Sequence, residues 1–206
     1  MNYSVNEIFY SLKGEGLHTG RPMAFIRLAG CNLHCNFCDT DYSKKFEADE
    51  DSLLDSISHY PTKYCVITGG EPALQDLAPL VRLLHEHRYK VHLETNGTQP
   101  TPLNLDWLAV SPKSFLTMLD PYSIIRANEV KFLAGAPGWQ DYIKEICSKI
   151  PVYAKHKYIM PLAQPWPHRL GHESFIDHNV KAAVEFCLQN PEFSFCLQVH
   201  KVLCIP

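Results

Sequence analysis

Three cysteines stand within eight residues, in Cys31-Asn32-Leu33-His34-Cys35-Asn36-Phe37-Cys38, and Asp39-Thr40 follows directly. Thiolates are soft ligands that suit iron–sulfur clusters and zinc, and this spacing lets all three reach one small metal centre. Their number is informative. A closed structural zinc site takes four protein ligands, whereas a four-iron cluster held by three cysteines leaves one iron open to another molecule. With His34 as a fourth ligand the same stretch would make a zinc site, so both metals stay open on spacing alone.

The rest of the chain bounds the setting. At 206 residues, 1–206 is predicted to be a single domain with a proper core. The formal charge of −3 predicts neither a nucleic-acid nor a membrane-surface partner, so the expected substrate is small. No basic-then-apolar leader and no long apolar run occurs, which predicts a cytoplasmic protein. Of the eight cysteines, Cys65, Cys147, Cys187, Cys196 and Cys204 are scattered and read as core thiols.

The elements that must position these groups alternate. Apolar runs at Ser4 to Tyr10 and Met23 to Leu28 read as strands, with Arg27 set in the second and requiring an anionic partner. A helix is predicted from Ala48-Asp49 to about His59, acidic in its first turn. Strands at Tyr64 to Thr68, Val91 to Leu93 and Leu108 to Val110 end in Gly69-Gly70-Glu71-Pro72, Glu94-Thr95-Asn96-Gly97 and Ser111-Pro112-Lys113. Three polar exits on one rim mark a site. Val130 to Leu133, a helix from about Trp139 to Cys147, Val152 to Met160, a helix from about Glu173 to Leu188 and a last strand at Phe193 to Val199 complete the order. Strand-helix alternation predicts an α/β fold with a parallel sheet, and the length has room for about six strands, short of an eight-unit barrel. An incomplete, open parallel β/α barrel is therefore expected. The glycines of Gly14-Glu15-Gly16 let a ligand approach the main chain, although a plain surface turn would read the same way. His168-Arg169-Leu170-Gly171-His172 reads as loop and capping residues rather than a second metal site.

The Cys-x3-Cys-x2-Cys stretch, with an aromatic Phe37 before its third cysteine, resembles the cluster motif of radical S-adenosylmethionine (SAM) enzymes, and Gly69-Gly70-Glu71-Pro72 resembles their second motif. Glu7-Ile8-Phe9, Gly14-Glu15-Gly16, Gly20-Arg21-Pro22, Arg27 to Leu33, Cys38-Asp39-Thr40, Glu94 to Gly97, Ser111-Pro112-Lys113 and Gln198-Val199-His200-Lys201 narrow it: over nearly its whole length the chain is similar to the 7-carboxy-7-deazaguanine synthase family. That resemblance implies a partial barrel with the cluster in the loop after its first strand. It also implies conversion of 6-carboxy-5,6,7,8-tetrahydropterin to 7-carboxy-7-deazaguanine, a radical ring contraction with loss of ammonia on the way to queuosine.

By the same resemblance Cys31, Cys35 and Cys38 hold a [4Fe-4S] cluster, and Thr40 ligates a Mg²⁺ that also meets the substrate carboxylate. A hydroxyl suits that hard ion, though Thr40 would equally cap a turn after Asp39. SAM falls to Phe37, Cys38, Asp39, Gly70, Glu94, Asn96, Ser111, Pro112, Lys113 and the stretch Met160, Pro161, Leu162, Ala163. The pterin falls to Leu12, Lys13, Gly14, Glu15, Arg27, Thr68, His200 and the carboxylate of Pro206. Read singly, His200 would be structural and Pro206 an ordinary terminus. Lys13 and Met160 stand where the family is expected to carry glutamines, which puts a cation near the ligands. A flavodoxin- or ferredoxin-like electron donor and a homodimer are further implications. Two other classes remain at this point. A radical SAM enzyme acting on another substrate, such as one activating a protein partner, would commonly carry further Cys-x2-Cys runs, and none occurs. A zinc-binding interaction module would need neither Gly-Gly-Glu-Pro nor the Ser-Pro-Lys rim.

Overall fold

The computed structural model describes residues 1–113, 118–162 and 178–206. β1 (Tyr3–Leu12) and β2 (Pro22–Leu28) form an antiparallel hairpin, and β3 (Phe46–Ala48) pairs antiparallel with the other edge of β1. From β2 onward neighbours are parallel, through β4 (Tyr64–Gly69), β5 (Lys90–Thr95), β6 (Trp107–Val110), β7 (Glu129–Ala134), β8 (His156–Pro161) and β9 (Ser194–Phe195). The sheet order is β3-β1-β2-β4-β5-β6-β7-β8-β9 among the described residues, and its two edges do not pair. The barrel is open, as expected, with β2 and β4 to β8 as its six substantial parallel strands.

Helices follow the strands because their caps and apolar stripes say so. α1 (Glu50–Ser58) starts where the Asp49 side chain accepts from the Ser52 N–H at 2.9 Å, and it buries Leu53 and Ile57, four residues apart. α2 (Ala78–Glu86) buries Leu80, Val81 and Leu84, and α4 (Trp139–Lys149) buries Ile143 and Ile146. These stripes join Ile26, Ile67, Leu93, Val110 and Val130 from the strands in one continuous core. α3 (Pro121–Arg126), capped by Asp120 with proline at its start, was legible in Asp120-Pro121 but not anticipated. α5 (His178–Gln189) covers the later part of the helix expected over Glu173 to Leu188.

Two boundaries differ from expectation. The strand predicted over Val152 to Met160 begins at His156, opposite the first residue of its partner β7, because a strand has nothing to bond before its neighbour starts. The strand predicted over Phe193 to Val199 is only Ser194–Phe195, and Val199 opens a short helix, α6 (Val199–Leu203). The chain leaves the sheet there to bond the β1–β2 loop: Cys196 Sγ accepts from the Gly16 N–H at 3.2 Å, and the Val199 N–H donates to the Gly14 carbonyl at 2.9 Å.

That loop is no surface turn. It folds inward, with Gly14 and Gly16 both buried, and a Cβ at Gly14 would collide with the His200 ring. At Gly16, φ is +71° and a Cβ would strike the Glu129 carboxylate, so glycine is required twice over. Farther along, the His18 ring lies 4.7 Å from His92 and 4.5 Å from Trp107, filling the lower barrel interior. Burial pulls the His92 imidazole down from 6.5 to about 4. Above pH 6.5 His92 is neutral in both folded and unfolded chains. Between 6.5 and 4 only the unfolded chain takes the proton, so stability is lost as pH falls, by about 3 kcal/mol in all. Denaturant titrations from pH 7 to 4 should show that slope flattened in His92→Gln; equal slopes would reject this account.

Candidate active site

At the C-terminal ends of the parallel strands a cavity of about 1170 Å³ opens, larger than the ~300–1,000 Å³ that accommodates one drug-sized ligand. This is the end at which α/β barrels carry their chemistry. Cys31, Cys35 and Cys38 all contribute to its wall, from the loop after β2.

The shape of that loop is set from both sides. The Gly30 N–H donates to the Tyr42 carbonyl at 2.9 Å and closes its neck, while Leu33 is buried as an anchor. Asn32 donates to Thr98 Oγ1 at 2.8 Å and accepts from Asn96 Nδ2 at 3.2 Å, tying the loop to the exit of β5. Gly70 allows the exit of β4 to pass against it: a Cβ there would collide with the Gly30 carbonyl and lie 2.7 Å from the Cys31 Cβ. Glu71, fully buried, accepts from Thr95 Oγ1 at 2.8 Å and from the Asn96 N–H at 2.7 Å. It is a brace between two strand exits and does not face the cavity.

The three thiols are unpaired, and burial pushes those of Cys31 and Cys35 up, which favours protonation until a metal displaces the proton. Among the described residues no three His, Cys, Asp or Glu side chains converge on a single ion, and His34 is exposed and off the cavity wall. Three soft thiol donors on the wall of one cavity are a donor set that fits a cubane held by three cysteines.

Beneath the thiols lies a buried charge cluster. Lys131 Nζ is 2.7 Å from Glu15 Oε2 and 2.6 Å from Glu94 Oε2, and Lys13 Nζ is 2.6 Å from Glu94 Oε1. Desolvation alone would raise both carboxyls, but Lys131 and Lys13 outweigh it and hold Glu15 well below the usual range and Glu94 below it. Lys113 donates to Ser111 Oγ at 2.6 Å, and burial brings its ammonium down to about 8.

Of the residues singled out in the sequence, Leu12, Lys13, Gly14, Glu15, Arg27, Phe37, Asp39, Thr40 and Thr68 line the cavity with the cysteines. So do Gly70, Glu94, Asn96, Ser111, Lys113, Met160, Leu162, His200 and Pro206. Pro112 and Pro161 do not contribute to its wall, and Ala163 and the stretch His168 to His172 lie outside the described residues. Arg27 finds its anion in Glu7, 2.6 Å from Nε, and is part-exposed rather than buried. Sequence reasoning passed over Lys131 and gave no site role to Gln198 and Lys201, which it quoted only as part of the resemblance; all three line the cavity, and Lys201 pairs with Asp39 and so clasps α6 to the cluster loop. A charge inside the apolar run Val130-Lys131-Phe132 was the same signal that drew attention to Arg27.

Residues 25–123 match the Radical SAM superfamily. The chain is 35% identical to the 7-carboxy-7-deazaguanine synthase of Bacteroides thetaiotaomicron over 98% of each chain. It is 36% identical to the enzyme of that name from Burkholderia multivorans, over 100% of each. The crystal structure of QueE from Escherichia coli superposes with a TM-score of 0.80 at 28% identity, covering 97% of this chain and 95% of that one.

The close passage at Gly70 makes a measurable claim. Gly70→Ala should cost about 1–3 kcal/mol through overpacking against Gly30 and Cys31. It should also lower the iron retained after anaerobic reconstitution, whereas wild-type melting and iron content together would show that the loop yields freely.

Proposed function

Because the chain belongs to the 7-carboxy-7-deazaguanine synthase family of the radical SAM superfamily, we propose that it turns 6-carboxy-5,6,7,8-tetrahydropterin into 7-carboxy-7-deazaguanine with loss of ammonia. It is a radical SAM enzyme, and its cofactors are a [4Fe-4S] cluster and SAM. The observation that carries the reading is the meeting of the three thiols, the Gly70 backbone and the polar exits of β5 and β6 around one cavity with room for two ligands. Cys31, Cys35 and Cys38 would hold the cluster, which when bound supplies the electron that cleaves SAM to a 5′-deoxyadenosyl radical.

The chain's own residues divide the cavity. In this reading SAM takes the Phe37 to Asp39 backbone, Gly70, Glu94, Asn96, Met160 and Leu162, with Ser111 and Lys113 for its ribose hydroxyls and carboxylate, and all of these line the cavity. Lys113, close to Ser111, presents a cation to that carboxylate below about pH 8. Toward the pterin stand the Leu12 to Gly14 backbone, Thr68, His200 and Pro206. Glu15 accepts from Lys131 and from Gln198 Nε2 at 2.8 Å, and each oxygen keeps a lone pair for the N–H groups of an aminopyrimidinone edge. Glu7 takes Arg27 Nε and leaves the two terminal nitrogens to grip a carboxylate bidentately. The cation at Lys13 is cancelled by Glu94, so it adds no net charge beside the ligand.

Thr40, on the wall beside Cys38, supplies a hydroxyl to Mg²⁺ shared with the substrate carboxylate. Exposed Asn36, Cys38 and Asp39 offer a flavodoxin- or ferredoxin-like donor a way to the cluster. A homodimer working in the cytoplasm completes the reading. All eight cysteines are unpaired, in keeping with a reducing compartment, and no described helix is long and apolar enough to cross a membrane.

Anaerobically prepared protein should bind about four irons per chain and consume the pterin in a SAM-dependent reaction. Serine at Cys35 should abolish SAM cleavage, and stoichiometric zinc with full turnover in air would refute the assignment. Thr40→Ala should blunt the stimulation by Mg²⁺ while leaving the cluster's visible spectrum in place; an unchanged response would remove Thr40 from the metal site.

A further inference from the structure

Lys131 sits where a strand should carry no charge. Its neighbours Val130 and Phe132 are core residues, and its own side chain is 1% exposed. Its ammonium nevertheless touches two carboxylates on different elements, Glu15 on the inward-folded loop and Glu94 on β5. A lysine nitrogen has three donors, and here two of them bridge loop and sheet. The other contacts are divided: Glu94 retains Lys13, while Glu15 retains only the amide of Gln198. Lys131 is thus the ammonium in direct contact with Glu15, with Lys13 acting on it from farther away.

The placement has a directional consequence. Glu15 lies one residue beyond Gly14, whose carbonyl is held by the Val199 N–H, and the Lys13 N–H is held by the Arg21 carbonyl at 2.8 Å. The loop backbone is therefore fixed at its neck and from α6, and Lys131 fixes the side chain that projects between them. Glu129, lower on the same face of β7, is engaged elsewhere, since it accepts from the Leu17 N–H at 3.0 Å and burial raises its carboxyl.

We propose that Lys131 is a positioning residue for substrate specificity, holding the Glu15 carboxylate aimed into the cavity so that it selects ligands with an N–H donor edge. The inference rests on the pterin reading above and deepens it. Lys131 meets no reacting atom. It determines where an acceptor stands and that the acceptor is an anion.

The test begins with wild-type enzyme and 6-carboxy-5,6,7,8-tetrahydropterin, under anaerobic conditions with reconstituted iron. No consumption of the pterin by the wild type would refute the substrate reading itself, independently of Lys131. Given turnover, Lys131→Met should raise the KM for the pterin at least about tenfold, the scale expected for losing one partner of a buried ion pair. Iron content and the equilibrium affinity for SAM should change less than about threefold. Lys131→Arg, which keeps the charge but spreads it over a planar fork, should fall between the two. An unchanged KM in Lys131→Met overturns the proposal, as does a raised KM accompanied by equal losses of SAM affinity and iron, the mark of a merely structural residue. Should Lys131→Met fail to fold, Lys131→Arg decides: a raised KM with SAM affinity kept supports the role, and a wild-type KM dismisses it.

Discussion

Charge inside an apolar barrel must be matched at contact distance, and that requirement shapes this molecule more than any other. A carboxylate moved out of water loses several kcal/mol of hydration, recovered only by a close, well-directed partner. Lys131, shared by Glu15 and Glu94, meets the requirement from β7, and Lys13 meets it from the loop. The result is graded along the barrel axis. Glu15 and Glu94, within reach of two ammonium groups, are held as anions under the cavity, whereas Glu129 below them is pushed toward its neutral form by burial. The upper interior is thus a polar floor with fixed charge, and the lower interior is packed with His18, His92 and Trp107, where burial keeps the two imidazoles neutral at neutral pH.

A second constraint is proximity. Three backbone passages define the site: Gly14 under His200, Gly16 over Glu129, and Gly70 against Gly30. Each brings a loop from one part of the chain into contact with another, so the cluster loop, the inward loop and α6 act as one wall. Lys201 with Asp39 and Asn32 with Asn96 are the polar counterparts of the same closure.

Much of this was legible because it is local. Strand-helix alternation, the Asp49 cap and the apolar stripe of α2 are read within a few residues, and the polar exits after β4, β5 and β6 follow from parallel topology alone. The Cys31 to Cys38 stretch and Gly69-Gly70 carried the resemblance to radical SAM enzymes for the same reason, although spacing alone left zinc open. What stayed hidden depends on partners far along the chain. The Gly14-Glu15-Gly16 segment reads as a turn until Cys196, Gln198 and Val199 are brought to it, and that contact also cut short the expected last strand. Glu71 looked like part of a binding motif and proved to be a brace between strands. Lys131 was hidden in an apolar run whose periodicity was read for its hydrophobic members only.

The contacts of α6 bear on how the protein is made. Cys31, Cys35 and Cys38 emerge early from the ribosome, but one wall of their cavity comes from Gln198, His200 and Lys201, more than 150 residues later. While that wall is missing, the inward loop lacks its bonds to Cys196, Gln198 and Val199, and the thiols stand in an unfinished cleft. Contacts so distant in sequence form late. The nascent chain therefore passes through an interval in which its most oxidisable groups are accessible, and delivery of iron and sulfide has either to use that open side or to wait until it closes.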